Sequence, residues 1–292
     1  MSGADIRHEW VDRGGVRLHC AVAGAAGRPL LLFLHGFPEF WAAWREPMAY
    51  FAARGWLAVA PDLRGYNLSD KPAEVEAYKA KHLVADVLAV AAHYARGKFA
   101  LVGHDWGGAV AWSVAIAHPG RLARLVMINS PHPYVFWREL RGNPAQRKAS
   151  EYMVLFRSPK TERVLSENGF ARLLSAFGHL PESWHRDLVE AWSRPGALTG
   201  GLNYYRASPL YPASPGDPGA ARLELEAKDF MVRVPTLVVW GERDTALLTG
   251  CLEGLEACVP DLKVVRVPDA SHWIVHEKPA RVCSEMEQFL KG

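Results

Sequence analysis

The chain of 292 residues is long enough for one large α/β domain, or for a core domain carrying an insertion. With 49% hydrophobic and 22% charged residues it matches ordinary globular proteins, and a disordered or fibrous class is excluded. A net charge of +3, spread without a basic run, is too small to argue for nucleic acid or an anionic membrane as partner.

The first residues, MSGADIRHEWVDRGG, lack the long apolar stretch of a signal peptide. No segment reaches the roughly 18 to 20 uninterrupted apolar residues of a membrane span. Cys20, Cys251, Cys258 and Cys283 form no C-x-x-C pair and are expected as isolated thiols in a reducing compartment. The expected location is cytoplasmic.

In chain order, two β-rich runs (6–11 and 16–22) flank Arg13-Gly14-Gly15 and predict a hairpin. Apolar runs of the length of buried parallel strands follow: LLLFLH ending at His35, WLAVA (56–60), FALVG (99–103), LVMIN (125–129), TLVVW (236–240) and LKVVRV (262–267). Apolar residues recur at helical spacing over 80–94, 108–117, 249–259 and 280–290. This alternation predicts an α/β fold, a mostly parallel sheet with helices on both faces.

The alternation breaks between about 130 and 233, a stretch rich in Trp, Tyr, Pro and Arg, with a helical pattern at 162–177 and a loop-like SPLYPASPGDPGA (208–220). Residues 131–228 are therefore expected to form a helical lid. It is inserted into a core made of 1–130 and 229–292, because the strand pattern resumes after it.

The frame Gly103-His104-Asp105-Trp106-Gly107 lies between a predicted strand and a predicted helix. Small residues at 103, 107 and 108 allow a sharp turn that lifts residue 105 out at the carboxyl end of the sheet, where ligands of open α/β sheets bind. In the α/β-hydrolase order nucleophile–acid–histidine, Asp105 is followed by Asp244, at the end of LVVWGERD, and by His272, just past LKVVRV. Asp269 competes for the acid position but reads better as a turn or cap residue. The loop after the first core strand, His35-Gly36-Phe37-Pro38, supplies a backbone N–H at Phe37 that joins the N–H of Trp106 as an oxyanion hole. His35 and His104 read as hydrogen bonders that fix loops rather than as proton carriers.

HGFPEFW (35–41), PDLRGYNLSDKP (61–72), VGHDWGG (102–108), VVWGERD (238–244) and SHW (271–273) together resemble the epoxide hydrolases of the α/β-hydrolase superfamily. The resemblance covers nearly all of the core. Within the lid it extends to ASEYMVLFRSP (149–159) and LNYYRASP (202–209), and it implies ring-opening tyrosines at Tyr152 and Tyr205, with Tyr204 as a competitor for the second.

The chemistry agrees with an aspartate at the elbow. A serine alkylated at a saturated carbon would be left as an ether, whereas an aspartate forms an ester that water, directed by His272, can hydrolyse. An aspartate side chain is ionised at neutral pH and attacks without a base. Epoxides and alkyl halides are the matching electrophiles. They differ in the leaving group: an opening epoxide needs a donor such as a phenol, while a halide needs only N–H groups. The alternative to an epoxide hydrolase is thus a haloalkane dehalogenase, with Trp106 as one halide-binding indole and Trp184 or Trp192 as the other. A second alternative is a non-catalytic ligand receptor on the same fold. Phe37, Trp41, Trp106 and Trp273 are expected to line an apolar substrate pocket. No cofactor and no metal are expected, since His272 and Asp244 activate water directly; the expected partners are a small apolar epoxide and water.

Overall fold

Eight strands form one sheet in the order β1-β2-β4-β3-β5-β6-β7-β8. They are β1 (Arg7–Arg13), β2 (Val16–Ala23), β3 (Leu30–Leu34), β4 (Leu57–Pro61), β5 (Phe99–His104), β6 (Leu122–Ile128), β7 (Thr236–Gly241) and β8 (Leu262–Val267). The computed structural model describes residues 5–178 and 181–291. Residues 1–4 and 292 of the expected core, and 179–180 of the expected lid, lie outside the described residues.

The β1–β2 hairpin pairs antiparallel, β2 meets β4 antiparallel, and every pairing from β4 to β8 is parallel. β3, β4, β5 and β7 are buried along their whole length. That explains their unbroken apolar runs, because strands covered on both faces have no solvent side to alternate with. β8, at the edge, keeps exposed positions.

Between these strands run α1 (Arg45–Ala52), α2 (Ala80–Tyr94) and α3 (Asp105–Ala117). α3 begins directly at the end of β5 and packs against β3, β5 and β6. Between β6 and β7 the described residues form six α-helices, α4 (Pro133–Gly142), α5 (Pro144–Ala149), α6 (Tyr152–Arg157), α7 (Thr161–Ser175), α8 (Glu182–Ser193) and α9 (Ala197–Ala207), followed by two short 3-10 turns. No strand of this stretch joins the sheet among the described residues. α7 is broken where Asn168, Gly169 and Phe170 take φ of 51°, 65° and 65°. The short α10 (Ile274–Glu277) leads into α11 (Pro279–Lys291).

The helical pattern at 249–259 does not give a helix. Two 3-10 turns, Thr249–Leu252 and Leu255–Ala257, are separated by Gly254 at φ +69°. A left-handed residue there ends the helical repeat. The carboxyl ends of β3, β5, β6, β7 and β8 all lie along one rim of the sheet. Each is followed by a residue of the candidate site: Phe37, Asp105, Asn129, Asp244 and His272.

Candidate active site

Asp105 sits at the β5–α3 junction with φ +49°, a left-handed conformation that costs a non-glycine residue roughly 1–3 kcal/mol. The surroundings hold the turn in place. Ser130 Oγ donates to the Asp105 carbonyl at 2.8 Å. The backbone crowds closely: a Cβ on Gly107 would stand 2.2 Å from the Leu34 carbonyl oxygen, and one on Gly36 would stand 2.5 Å from the Asp105 Cβ. The strained turn presents a carboxylate at the rim of the sheet.

His272 Nδ1 donates to Asp244 Oδ2 at 2.7 Å, and His272 Nε2 lies 3.7 Å from Asp105 Oδ2. The imidazole therefore bridges two carboxylates. Asp244 is buried and saturated. Besides His272, its Oδ2 accepts from Asn129 Nδ2 at 2.8 Å, and its Oδ1 accepts the backbone N–H groups of Ala246 and Leu247 at 2.8 and 2.9 Å. Burial alone would raise its pKa, but the His272 charge and these hydrogen bonds outweigh it and hold the carboxyl below its ordinary value. For His272, burial favours the neutral ring, yet the charges of Asp244, Asp105 and Glu39 prevail and raise it to about 9. Asp269 is engaged elsewhere, its Oδ2 paired with Lys278 Nζ at 2.5 Å.

The Phe37 N–H donates to Asp105 Oδ1 at 2.8 Å. One carboxylate oxygen thus faces a backbone donor and the other faces the histidine. His35 fixes the loop as a neutral ring: Nδ1 bonds the Gly36 carbonyl at 2.9 Å and Nε2 accepts the Leu63 N–H at 3.0 Å. His104 Nε2 donates to the His272 carbonyl at 3.0 Å and supports that loop from behind.

A cavity of about 440 Å³ opens over the elbow, with Asp105, Trp106, Tyr152 and Tyr205 in its wall among largely apolar neighbours. Tyr152 opens α6 and Tyr205 lies on α9, with ring centroids 6.1 Å apart. The Trp106 indole stands edge-on to Tyr205 at 5.0 Å. Burial pushes both phenols well above the ordinary tyrosine value, and the Asp105 charge adds to this, so both carry their protons. Tyr204 also reaches the cavity wall, but its hydroxyl donates to the Arg64 carbonyl at 2.9 Å. That commitment separates it from Tyr205.

Three of the aromatic residues expected in the pocket stand elsewhere. The Phe37 ring packs 5.4 Å from both Phe156 and Tyr205, backing the tyrosine rather than lining the cavity. Trp41 turns towards His8 and Arg45. Trp273 stacks on Phe177 at 4.1 Å, with its indole N–H on the Ala176 carbonyl. Proximity to a motif along the chain does not fix the direction of a side chain. Trp192 donates to the Pro38 carbonyl and Trp184 lies against Phe40 and His276, so neither is in the cavity wall.

Two features escaped the sequence reading. Asn129, at φ +37°, closes β6 and braces Asp244 while its Oδ1 accepts the Gly241 N–H at 2.8 Å. An asparagine directly after an apolar strand was the available signal. Glu39 lies buried between His276, which hydrogen-bonds its Oε1, and His104, whose Nδ1 is 3.3 Å from Oε2. Burial opposes its charge, but the two histidines hold it ionised and Glu39 in turn raises His276. Glu39 and His104 belong to two different motifs and His276 lies just past a third, and no spacing announces the cluster.

The family model described as the alpha/beta hydrolase fold matches residues 29–279. The chain is 36% identical to the AB hydrolase superfamily protein YfhM of Bacillus subtilis, over 98% of this chain and 99% of that one. It is 35% identical to epoxide hydrolase 4 of Mus musculus, over 96% of this chain and 78% of the relative. The crystal structure of a Bacillus megaterium epoxide hydrolase in complex with an inhibitor superposes with a TM-score of 0.87, at 34% identity, covering 97% of this chain and all of that one (100%). The protein belongs to the α/β-hydrolase superfamily, and within it to the epoxide hydrolase family.

Proposed function

We propose that the protein is an epoxide hydrolase that converts apolar epoxides to vicinal diols through an alkyl ester on Asp105. In the first step an Asp105 oxygen attacks an epoxide carbon, the carbon–oxygen bond breaks, and the departing alkoxide takes a proton from one of the hydroxyls of Tyr152 and Tyr205 while the other hydrogen-bonds it. In the second, neutral His272 takes a proton from water as the water oxygen attacks the ester carbonyl. The backbone N–H groups of Phe37 and Trp106 hold the tetrahedral oxyanion. Its collapse breaks the ester carbon–oxygen bond, and the proton of the tetrahedral hydroxyl passes to the departing diol oxygen and leaves the carboxylate restored. The imidazolium, stabilised by Asp244 meanwhile, releases its proton to solvent, from which the tyrosine that protonated the alkoxide is restored.

The observation that carries this reading is the convergence of two protonated phenols, from α6 and α9, on the cavity that holds the Asp105 carboxylate. A dehalogenase needs indole or amide donors at the halide, and Trp106 is the cavity's sole tryptophan among the described residues. A ligand receptor would not need His272 poised between two carboxylates. In this reading residues 131–228 act as a lid that carries both tyrosines. Four buried, unpaired cysteines support a reducing, cytoplasmic setting, and among the described residues no helix is long and apolar enough to cross a membrane.

The test is a side-by-side assay of epoxides and bromoalkanes, reading diol and bromide release. Diol formation well above bromide release supports the epoxide reading. Bromide release with no diol supports the dehalogenase, and neither product supports the receptor.

A further inference from the structure

The cavity continues far beyond the reacting carboxylate. From Asp105 its wall follows one face of α3 through Ala109, Ser113 and Ile116, each of which keeps some accessible surface. These positions recur at helical spacing, so counted from Asp105 to Ile116 they line one continuous stripe of about 16 Å at 1.5 Å per residue. Leu83 of α2 and Leu223 and Leu225, which precede β7, supply other walls of the same space.

The stripe offers no partner for charge. Among the described lining residues there is no Lys, Arg or His, and Asp105 is the sole acid. Most hydroxyls of the wall are committed: Ser113 Oγ donates to the Ala109 carbonyl, Ser130 Oγ to the Asp105 carbonyl, Tyr78 to the Pro72 carbonyl and Tyr204 to the Arg64 carbonyl, Ser208 Oγ accepts the Leu210 N–H, and the phenols of Tyr152 and Tyr205 belong to the reacting end. A charged substituent buried here would lose its hydration with nothing in exchange.

Resting on the epoxide reading above, we infer that the face of α3 from Ala109 to Ile116 is a gallery for an uncharged hydrocarbon tail, so that the preferred substrates are terminal epoxides with a long, unionised alkyl or aryl-alkyl substituent. An extended alkyl chain advances about 1.25 Å per carbon, given C–C bonds of ~1.52 Å, so the stripe accepts a tail of about a dozen carbons. A short epoxide would leave most of the cavity unfilled.

The experiment measures kcat/KM for terminal epoxyalkanes from epoxybutane to epoxydodecane, with an epoxydecanoate at neutral pH as the charged counterpart. Wild type, Ser113→Phe and Ile116→Trp are compared, and each enzyme is normalised to its own epoxybutane value so that a general loss of activity cancels. In wild type kcat/KM climbs with chain length by up to about fourfold per methylene, the worth of one buried CH2. The climb stops at shorter chains in Ile116→Trp and at shorter chains still in Ser113→Phe, in the order of their distance from Asp105. The carboxylate-tailed substrate falls at least tenfold below the uncharged epoxide of equal length. A flat series, a common stopping point in all three enzymes, or parity of the charged and uncharged tails overturns the gallery while leaving the epoxide reading intact. Failure to turn over any epoxide, with no ester on Asp105, overturns both.

Discussion

The guanidinium of Arg157 donates to the main-chain carbonyl of Tyr205, and reaches the carbonyls of Arg206 and Ser208 at 3.1 Å each. Arg157 ends α6, the helix that Tyr152 begins, and the carbonyls it caps end α9, the helix that carries Tyr205. The same guanidinium lies 3.7 Å from the Tyr211 ring centroid. A cation at a helix carboxyl terminus satisfies carbonyls that have no partner within the helix. Here it also ties together the two helices that bring phenols to one cavity.

Arg157→Met removes the tie and keeps the length of the side chain. A displacement of Tyr205 by a fraction of an ångström is expected to slow alkylation by about tenfold, since 1 Å of misplacement can cost about 100-fold. Hydrolysis of the ester, which does not use the tyrosines, keeps its rate. In a Tyr205→Phe background the same change should have little further effect. Stopped-flow and quench measurements of the two half-reactions check this. Equal slowing of both steps, or full additivity with Tyr205→Phe, contradicts a positioning role.

Replacing Tyr152 or Tyr205 singly by Phe should slow epoxide opening by about 10- to 1,000-fold, the range of one acid or oxyanion donor. The double variant should nearly abolish opening, without additivity, if both hydroxyls serve one oxygen as proposed. Any activity on a bromoalkane should survive the double change, since bromide departs without a proton. Tyr204→Phe is the control. Its hydroxyl bonds the Arg64 carbonyl, so the change lowers stability, by about 0.5–1.5 kcal/mol, more than it affects chemistry. Full epoxide activity in the double variant would remove the main reason for preferring an epoxide over a halide.

The histidine makes a pH prediction. In the free enzyme His272 is raised to about 9, with burial outweighed by Asp244 and Asp105, so it is protonated at neutral pH. In the proposed mechanism esterification removes the Asp105 charge, and the pKa of the ring is expected to fall. Hydrolysis of the ester should therefore accelerate with rising pH through a midpoint below about 9. Asp105→Asn should show the same fall by NMR titration of the ring. Because the folded value exceeds the unfolded 6.5, the stabilisation from this group is complete below 6.5 and disappears as pH rises through about 9. An unchanged ring pKa in Asp105→Asn would contradict the bridging geometry.

Much of this site was legible because its parts follow strands. Asp105 comes at the end of an apolar strand, Asp244 and His272 stand a few residues beyond two others, and chain order with a turn reading of Asp269 is enough to propose them as nucleophile, acid and histidine. Tyr152 and Tyr205 lie on helices with no such frame, and only the family resemblance picked them out. The choice between Tyr204 and Tyr205 required the direction of a hydroxyl. Trp41 and Trp273 stand away from the cavity for the same reason, since adjacency to a motif says nothing about which way an indole turns. Asn129 and the Glu39–His104–His276 cluster act across strands, and their partners are distant in sequence. In the fold, periodicity foresaw the sheet and α2 but not the break at Gly254, whose left-handed φ overrides an apolar pattern that would otherwise be helical.

The central claim is the covalent ester on Asp105, and a single turnover in heavy-oxygen water tests it most directly. With enzyme in excess over an epoxide, water is expected to attack the ester carbonyl. The label should therefore enter the Asp105 carboxylate, read by mass spectrometry of the peptide that contains it, while the diol carries an unlabelled enzyme oxygen. Label in the diol on the first turnover, with none in the Asp105 peptide, would contradict the account and mean that His272 directs water at the epoxide itself.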